Sequence, residues 1–110
     1  MTDHQHCQAI TTIGSRAAAE ALSRSAVQAR LAACGQVTGP ITSTYWWDGQ
    51  LETAEEWYVI FKTTTERYPA LAEHIRAHHD YDVPEIVLVP IVAGDPTYLA
   101  WVTEQTSVEG

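Results

Sequence analysis

Apolar residues along this chain fall into blocks of two different periods. Residues Cys7 to Ile13 have the Ile- and Thr-rich composition of a short strand, closed by Gly14-Ser15. From 16 to 33 the spacing becomes helical: Ala19, Leu22, Ala26, Ala29 and Ala33 form one stripe, widened by Val27 and Leu31. Ser15 is placed to cap that helix, and Gly35, after Cys34, is placed to stop it. Its many alanines predict close approach to a sheet. Residues 36–47 return to strand composition, with a bend or bulge at Gly39-Pro40. Asp48-Gly49 then predicts a tight hairpin. The partner strand is expected to run to Thr65, with Trp57, Val59 and Phe61 on one face and Tyr58, Ile60 and Lys62 on the other.

A second helix follows. Thr63 and Glu66 have capping-box spacing, Pro69 falls in the first turn, and Tyr68, Leu71, Ala72, Ile75 and His79 share a face. Residues 80–85 connect it to the apolar run Ile86–Val92, where Pro90 signals an edge or a bulge. Asp95-Pro96 opens a short last helix anchored by Tyr98, Leu99, Trp101 and Val102.

The resulting order is the βαββαβ pattern of ferredoxin-like folds. We expect an α+β sandwich: a four-stranded antiparallel sheet, two helices on one face, and a short C-terminal helix. One domain spans 1–110, with residues 1–6 as a flexible N-terminus. The uncovered face of the sheet carries Trp, Tyr, Ile and Val, so burying it between copies in a homo-oligomer is the natural arrangement.

Composition narrows the function. The chain has 110 residues, 14 acidic and 6 basic, for a net charge of −8. That balance argues against nucleic acid or an anionic membrane as partner. The longest uncharged stretch, Leu31 to Trp47, is interrupted by Gly, Pro, Gln, Thr and Ser and is no membrane span. The first residues lack the basic head and apolar run of a secretory signal. Cys7 and Cys34 make no disulfide framework, and a reduced, cytoplasmic protein is expected. Phosphate loops, CxxC pairs, HExxH and nucleophile elbows do not occur, so an enzyme is not expected.

Five segments carry a resemblance: LAAC (31–34), ITSTYWWDG (41–49), FKTTTERYPAL (61–71), HHDYDVPEI (78–86) and GDPTYLAWV (94–102). In this order and spacing the chain resembles the CutA divalent-cation tolerance family, from about residue 10 to residue 105. The resemblance implies a tight homotrimer formed by strand pairing between subunits. It also implies a role in tolerance to copper and other divalent cations, and copper binding by some members. Some bacterial members use a cysteine at the end of the first strand as a copper ligand. Thr11 stands there in this chain, and a hydroxyl is a poor ligand for soft Cu(I). The fold is also similar to that of the trimeric PII signalling proteins.

Candidate sites follow from residue chemistry. Imidazole suits copper and zinc, and the family's metal-linked histidine falls on His78-His79. The same pair also fits a helix C-terminal turn, where histidine complements the dipole. Glu56 and Glu85 are possible oxygen ligands, and Glu55 is expected to be solvated. Lys62, the single lysine, sits among apolar strand residues and calls for a carboxylate such as Glu85 or Glu56. A polar pocket of Lys62, Glu85, Tyr81, Tyr98, Trp47 and Trp101 at a subunit boundary is one reading. A structural ion pair that fixes the register between subunits is the other. Tyr45, Trp46 and Trp47 read as interface core. If Met1 is removed, the terminal amine, two amides and His4 make a square-planar nitrogen site for Cu(II), with His6 beside it. The function expected is weak binding of copper or another divalent cation by a homotrimeric tolerance protein. The alternatives are a small-molecule sensor with a ligand between subunits, and a stable trimeric interaction scaffold.

Overall fold

The protein is described over residues 4–108 by a computed structural model. Its elements are β1 (His6–Ile13), α1 (Arg16–Gln28), β2 (Cys34–Trp47), β3 (Gln50–Thr64), α2 (Tyr68–Ala77), β4 (Ile86–Pro90) and α3 (Pro96–Gln105). The strands form one antiparallel sheet in the order β2-β3-β1-β4. This is the expected ferredoxin-like α+β sandwich with a C-terminal helix. Alternation along β1 and β3 sends Ala9, Ile13, Val59 and Phe61 to one face, where Ala19, Leu22, Ala26, Leu71 and Ile75 of α1 and α2 cover them. Fully burying a side chain such as Phe61, Leu71 or Ile75 contributes roughly 1.5–3 kcal/mol.

Helix α1 starts as expected: the Ser15 hydroxyl accepts the Ala18 amide at 3.1 Å. It ends five residues before the 33 that the alanine stripe suggested. Arg30 takes the left-handed conformation, with φ 63°, and the amides of Leu31 and Arg30 turn back to the carbonyls of Ala26 and Val27. Gly35 is therefore not the stop signal. It pairs with Phe61 inside β2, and a Cβ there would collide with Ser23 Oγ and approach Phe61 to 3.1 Å. The glycine lets α1 lie close on the sheet.

The start of α2 also differs from its sequence signal. Thr63 does not cap the helix; it is buried in β3, and its hydroxyl donates to the Leu31 carbonyl at 2.7 Å. Arg67 holds the N-cap position without a side-chain cap, and Thr64 Oγ1 accepts the Arg67 amide. Residues 4–6, expected to fray, are tied down. The Gln5 carbonyl accepts from the Thr65 amide and the His4 carbonyl from the Thr65 hydroxyl, while His6 opens β1.

The expected break in β2 is a bulge with a definite consequence. Thr38 pairs with Tyr58, but Ile41 pairs with Glu56, so β2 gains one residue over β3. Before the bulge, even-numbered residues of β2 lie opposite even-numbered residues of β3. After it, Ile41, Ser43, Tyr45 and Trp47 do so instead. The aromatic arm is thereby turned to the face that carries Glu56 and Tyr58. The hairpin closes as predicted, with Asp48 and Gly49 both at positive φ, 51° and 73°.

The face away from α1 and α2 is only partly covered. Val102 of α3 is fully buried, whereas Tyr98 and Trp101 stay partly exposed. Val87 and Val89, paired with Ile10 and Gln8, remain 41% and 39% exposed. At the hairpin, Trp46 is 73% and Leu51 61% exposed.

Candidate functional site

Helix α2 ends at Ala77, and the two histidines after it go to different places. His78 donates from Nδ1 to the His74 carbonyl at 2.8 Å and stacks on the His74 ring at 4.1 Å. With Nδ1 committed as donor, Nε2 keeps its lone pair at an exposed position. His74 bonds through Nε2 to the Ser25 hydroxyl at 2.8 Å. Burial, followed by the neighbouring His78, pushes its pKa down.

His79 turns the other way. Its Nε2 donates to the Thr12 carbonyl at 2.7 Å, and its Nδ1 accepts the Tyr81 amide at 3.1 Å. Both nitrogens are used, so His79 has no lone pair for a metal. The expected His78-His79 ligand pair is thus corrected: His79 is a bracket between β1 and the loop after α2. Thr11, at the position of the family's cysteine, is fully buried on the helix-covered face.

The bracket sets Tyr81. Its ring lies 4.7 Å from that of His79, and its hydroxyl donates to Glu56 Oε2 at 2.8 Å. Gly14 makes room: a Cβ there would lie 3.3 Å from the Tyr81 hydroxyl. Burial, the bond to Glu56 and nearby acidic charge push the Tyr81 pKa up to about 12. Glu56 is 6% exposed. Beside it, between the hairpin arm and residues 80–85, lies a cavity of about 1050 Å³. Of the residues expected in a pocket or at a metal, Tyr45, Trp47, Glu56, Tyr81 and Glu85 line it. Tyr58, Asp80 and Asp82, not expected at a site, join them; the alternation of β3 and the acidic run 80–85 are the sequence features that could have found them.

The other expected pocket residues lie elsewhere. Lys62 is six residues along β3 from Glu56, roughly 20 Å at strand rise. It donates to Gln36 Oε1 at 2.7 Å and not to a carboxylate. Tyr98 stacks on Trp101 at 5.7 Å and meets Cys34 Sγ at 3.7 Å. Burial, then the Cys34 contact, pushes the Tyr98 pKa up to about 12. His6 bonds through Nε2 to Thr103 Oγ1 at 2.8 Å, packing β1 against α3. The N-terminal copper site needs residues 2 and 3, which lie outside the described residues. Among the described residues, no group of three or more His, Cys, Asp or Glu is placed to hold a metal ion.

Comparison with known proteins adds to this geometry. A family model described as the CutA1 divalent ion tolerance protein matches residues 7–105. The chain is 39% identical over 97 residues to the divalent-cation tolerance protein CutA of Thermus thermophilus, covering 88% of this chain and 94% of that protein. It is 39% identical over 95 residues to the chloroplastic protein CutA 1 of Oryza sativa, covering 86% of this chain but only 54% of the rice protein. In structure it resembles CutA1 of Oryza sativa, with TM-score 0.91, 35% identity, and coverage of 98% of this chain and 99% of that one.

Proposed function

Since the chain belongs to the CutA1 divalent ion tolerance family, we propose that it acts as a homotrimer that engages copper or another divalent cation weakly, at its surface. The matched family is described by tolerance to divalent ions and not by a reaction. The observation that carries the cation part is the His78 ring. A backbone carbonyl holds its Nδ1, which leaves an exposed, oriented Nε2, the arrangement that readies histidine for a metal. Single-point attachment explains why the affinity is weak. The net charge of −8 raises the local concentration of cations around it.

The trimer rests on the half-covered sheet face. Val87, Val89 and the hairpin residues Trp46, Trp47 and Leu51 present apolar surface that a neighbouring copy would remove from water. Cys7 is buried and Cys34 contacts Tyr98, so neither thiol seeks a disulfide, which supports a reduced compartment.

Calorimetric titration with Cu²⁺ tests the cation part. His78→Ala is expected to weaken binding about tenfold or more, and His79→Ala to leave the affinity within about twofold. Equal affinity in wild type and His78→Ala refutes it. Sedimentation velocity tests the assembly: a monomer that ignores dilution refutes the trimer and leaves the His78 test standing.

A further inference from the structure

We infer that Ser25 sets the affinity of the His78 cation site: its hydroxyl holds back His74, a second imidazole ligand one helical turn away. This rests on the cation role proposed for His78 and adds what keeps that site at one point of attachment.

His78 follows His74 by four residues at the end of α2, and its amide still closes a turn onto the His74 carbonyl at 3.2 Å. Histidines at i and i+4 share one helix face, about 5–6 Å apart at Cβ, the spacing at which two imidazoles can grip one metal ion. The two rings do meet, with centroids 4.1 Å apart, but as a stack with 27° between their planes. A metal ion lies in the plane of each imidazole that binds it, about 2 Å from the nitrogen. Two rings stacked nearly parallel share no such position.

Ser25, on α1, fixes the stack. Its hydroxyl lies 2.8 Å from His74 Nε2 and 3.2 Å from the Leu22 carbonyl. Whichever partner carries the proton, the His74 Nε2 lone pair is not open to a metal. The bond is part-buried and ties the ring across the contact between α1 and α2. Released from Ser25, the His74 ring can turn about its side-chain torsions and aim Nε2 at an ion on His78 Nε2. His78 needs no rearrangement, because the His74 carbonyl already holds its Nδ1. The pair belongs to the helix layer, across the sheet from the face given to neighbouring copies.

The test titrates Cu²⁺ alone into the full chain by calorimetry and reads the bound ion by electron spin-echo modulation, which registers each ligated imidazole. Ser25→Ala is expected to bind Cu²⁺ at least about fivefold more tightly than wild type, since chelation no longer has to break a hydrogen bond. It is also expected to show one more coordinated imidazole. Alanine favours a helix interior, so folding is retained. Adding His74→Ala to Ser25→Ala is expected to remove both gains, whereas His74→Ala alone leaves the affinity within about twofold of wild type. Ser25→Thr restores the hydroxyl and is expected to bind as wild type does. A Ser25→Ala that binds no more tightly, a gain that survives the loss of His74, or an unchanged imidazole count overturns the inference and leaves the His78→Ala test standing. Equal affinity in wild type and His78→Ala overturns both.

Discussion

Replacing His79 with alanine should damage the fold far more than replacing His78, although the two are neighbours with the same side chain. His79 donates to the carbonyl of Thr12, a residue 5% exposed, at 2.7 Å. Removing the imidazole strands that carbonyl, and an orphaned buried acceptor costs about 1–3 kcal/mol. The Tyr81 amide loses its partner as well, but the Tyr81 residue is 39% exposed and water substitutes there. The ring contact with Tyr81 at 4.7 Å adds about 0.5–1.5 kcal/mol. The cavity alongside admits water to the Thr12 carbonyl, so the lower half of the range applies. The expected total is about 1.5–3.5 kcal/mol. His78 bonds only to its own helix at an exposed position, and His78→Ala should stay within about 0.5 kcal/mol. Urea unfolding followed by circular dichroism, at one protein concentration, measures both. Equal stability of the two variants would show that His79 holds nothing. A stable His79→Ala that loses copper would show that it is a ligand after all.

Further outcomes follow from the same geometry. In Gly39→Ala the new Cβ would sit 2.6 Å from Trp57 Cδ1, and the rigid indole cannot yield easily; a loss of about 1–3 kcal/mol is expected in urea unfolding. Alkaline titration followed at 295 nm should find Tyr81 and Tyr98 ionising near 12, and Tyr81→Phe should remove one of those two late transitions. Because each pKa is raised on folding, the stability each tyrosine lends is complete below pH 10 and is lost as pH rises from 10 to about 12. The stability of Tyr81→Phe should therefore fall less steeply than that of wild type across that window. Gly49→Val forces a β-branched residue to φ 73° at the hairpin turn, and a loss of about 1–2 kcal/mol is expected from thermal unfolding.

Much of this was legible in the residues themselves. Ser15, Asp95, Asp48-Gly49 and the alternation of β3 each act through near neighbours, and each does what its local chemistry predicts. The failures came where a distant element overruled a local signal. Thr63 has the spacing of a cap, but its hydroxyl serves Leu31, a residue 32 positions away. The alanine stripe ran past the end of α1 because Arg30, not a glycine, takes the left-handed turn. Its guanidinium is held by Gln105 of α3 and its carbonyl by Arg67. Aromatic and acidic residues of the site could be named from sequence, but their grouping could not. Strand direction alone puts Lys62 and Glu56 far apart, and the sequence offered Lys62 no sign of Gln36. His79 bridges two backbone groups, and in sequence such an imidazole looks the same as one that awaits a metal.

The extra residue in β2 also limits how this chain can vary in length. An insertion or deletion of one residue between Thr38 and Tyr45 swaps inside for outside along the arm, sending Tyr45 and Trp47 away from Glu56. A change of two residues restores the original sidedness. Tolerated length changes in this segment should therefore come in even steps, and an odd one should survive only with a second bulge to cancel it.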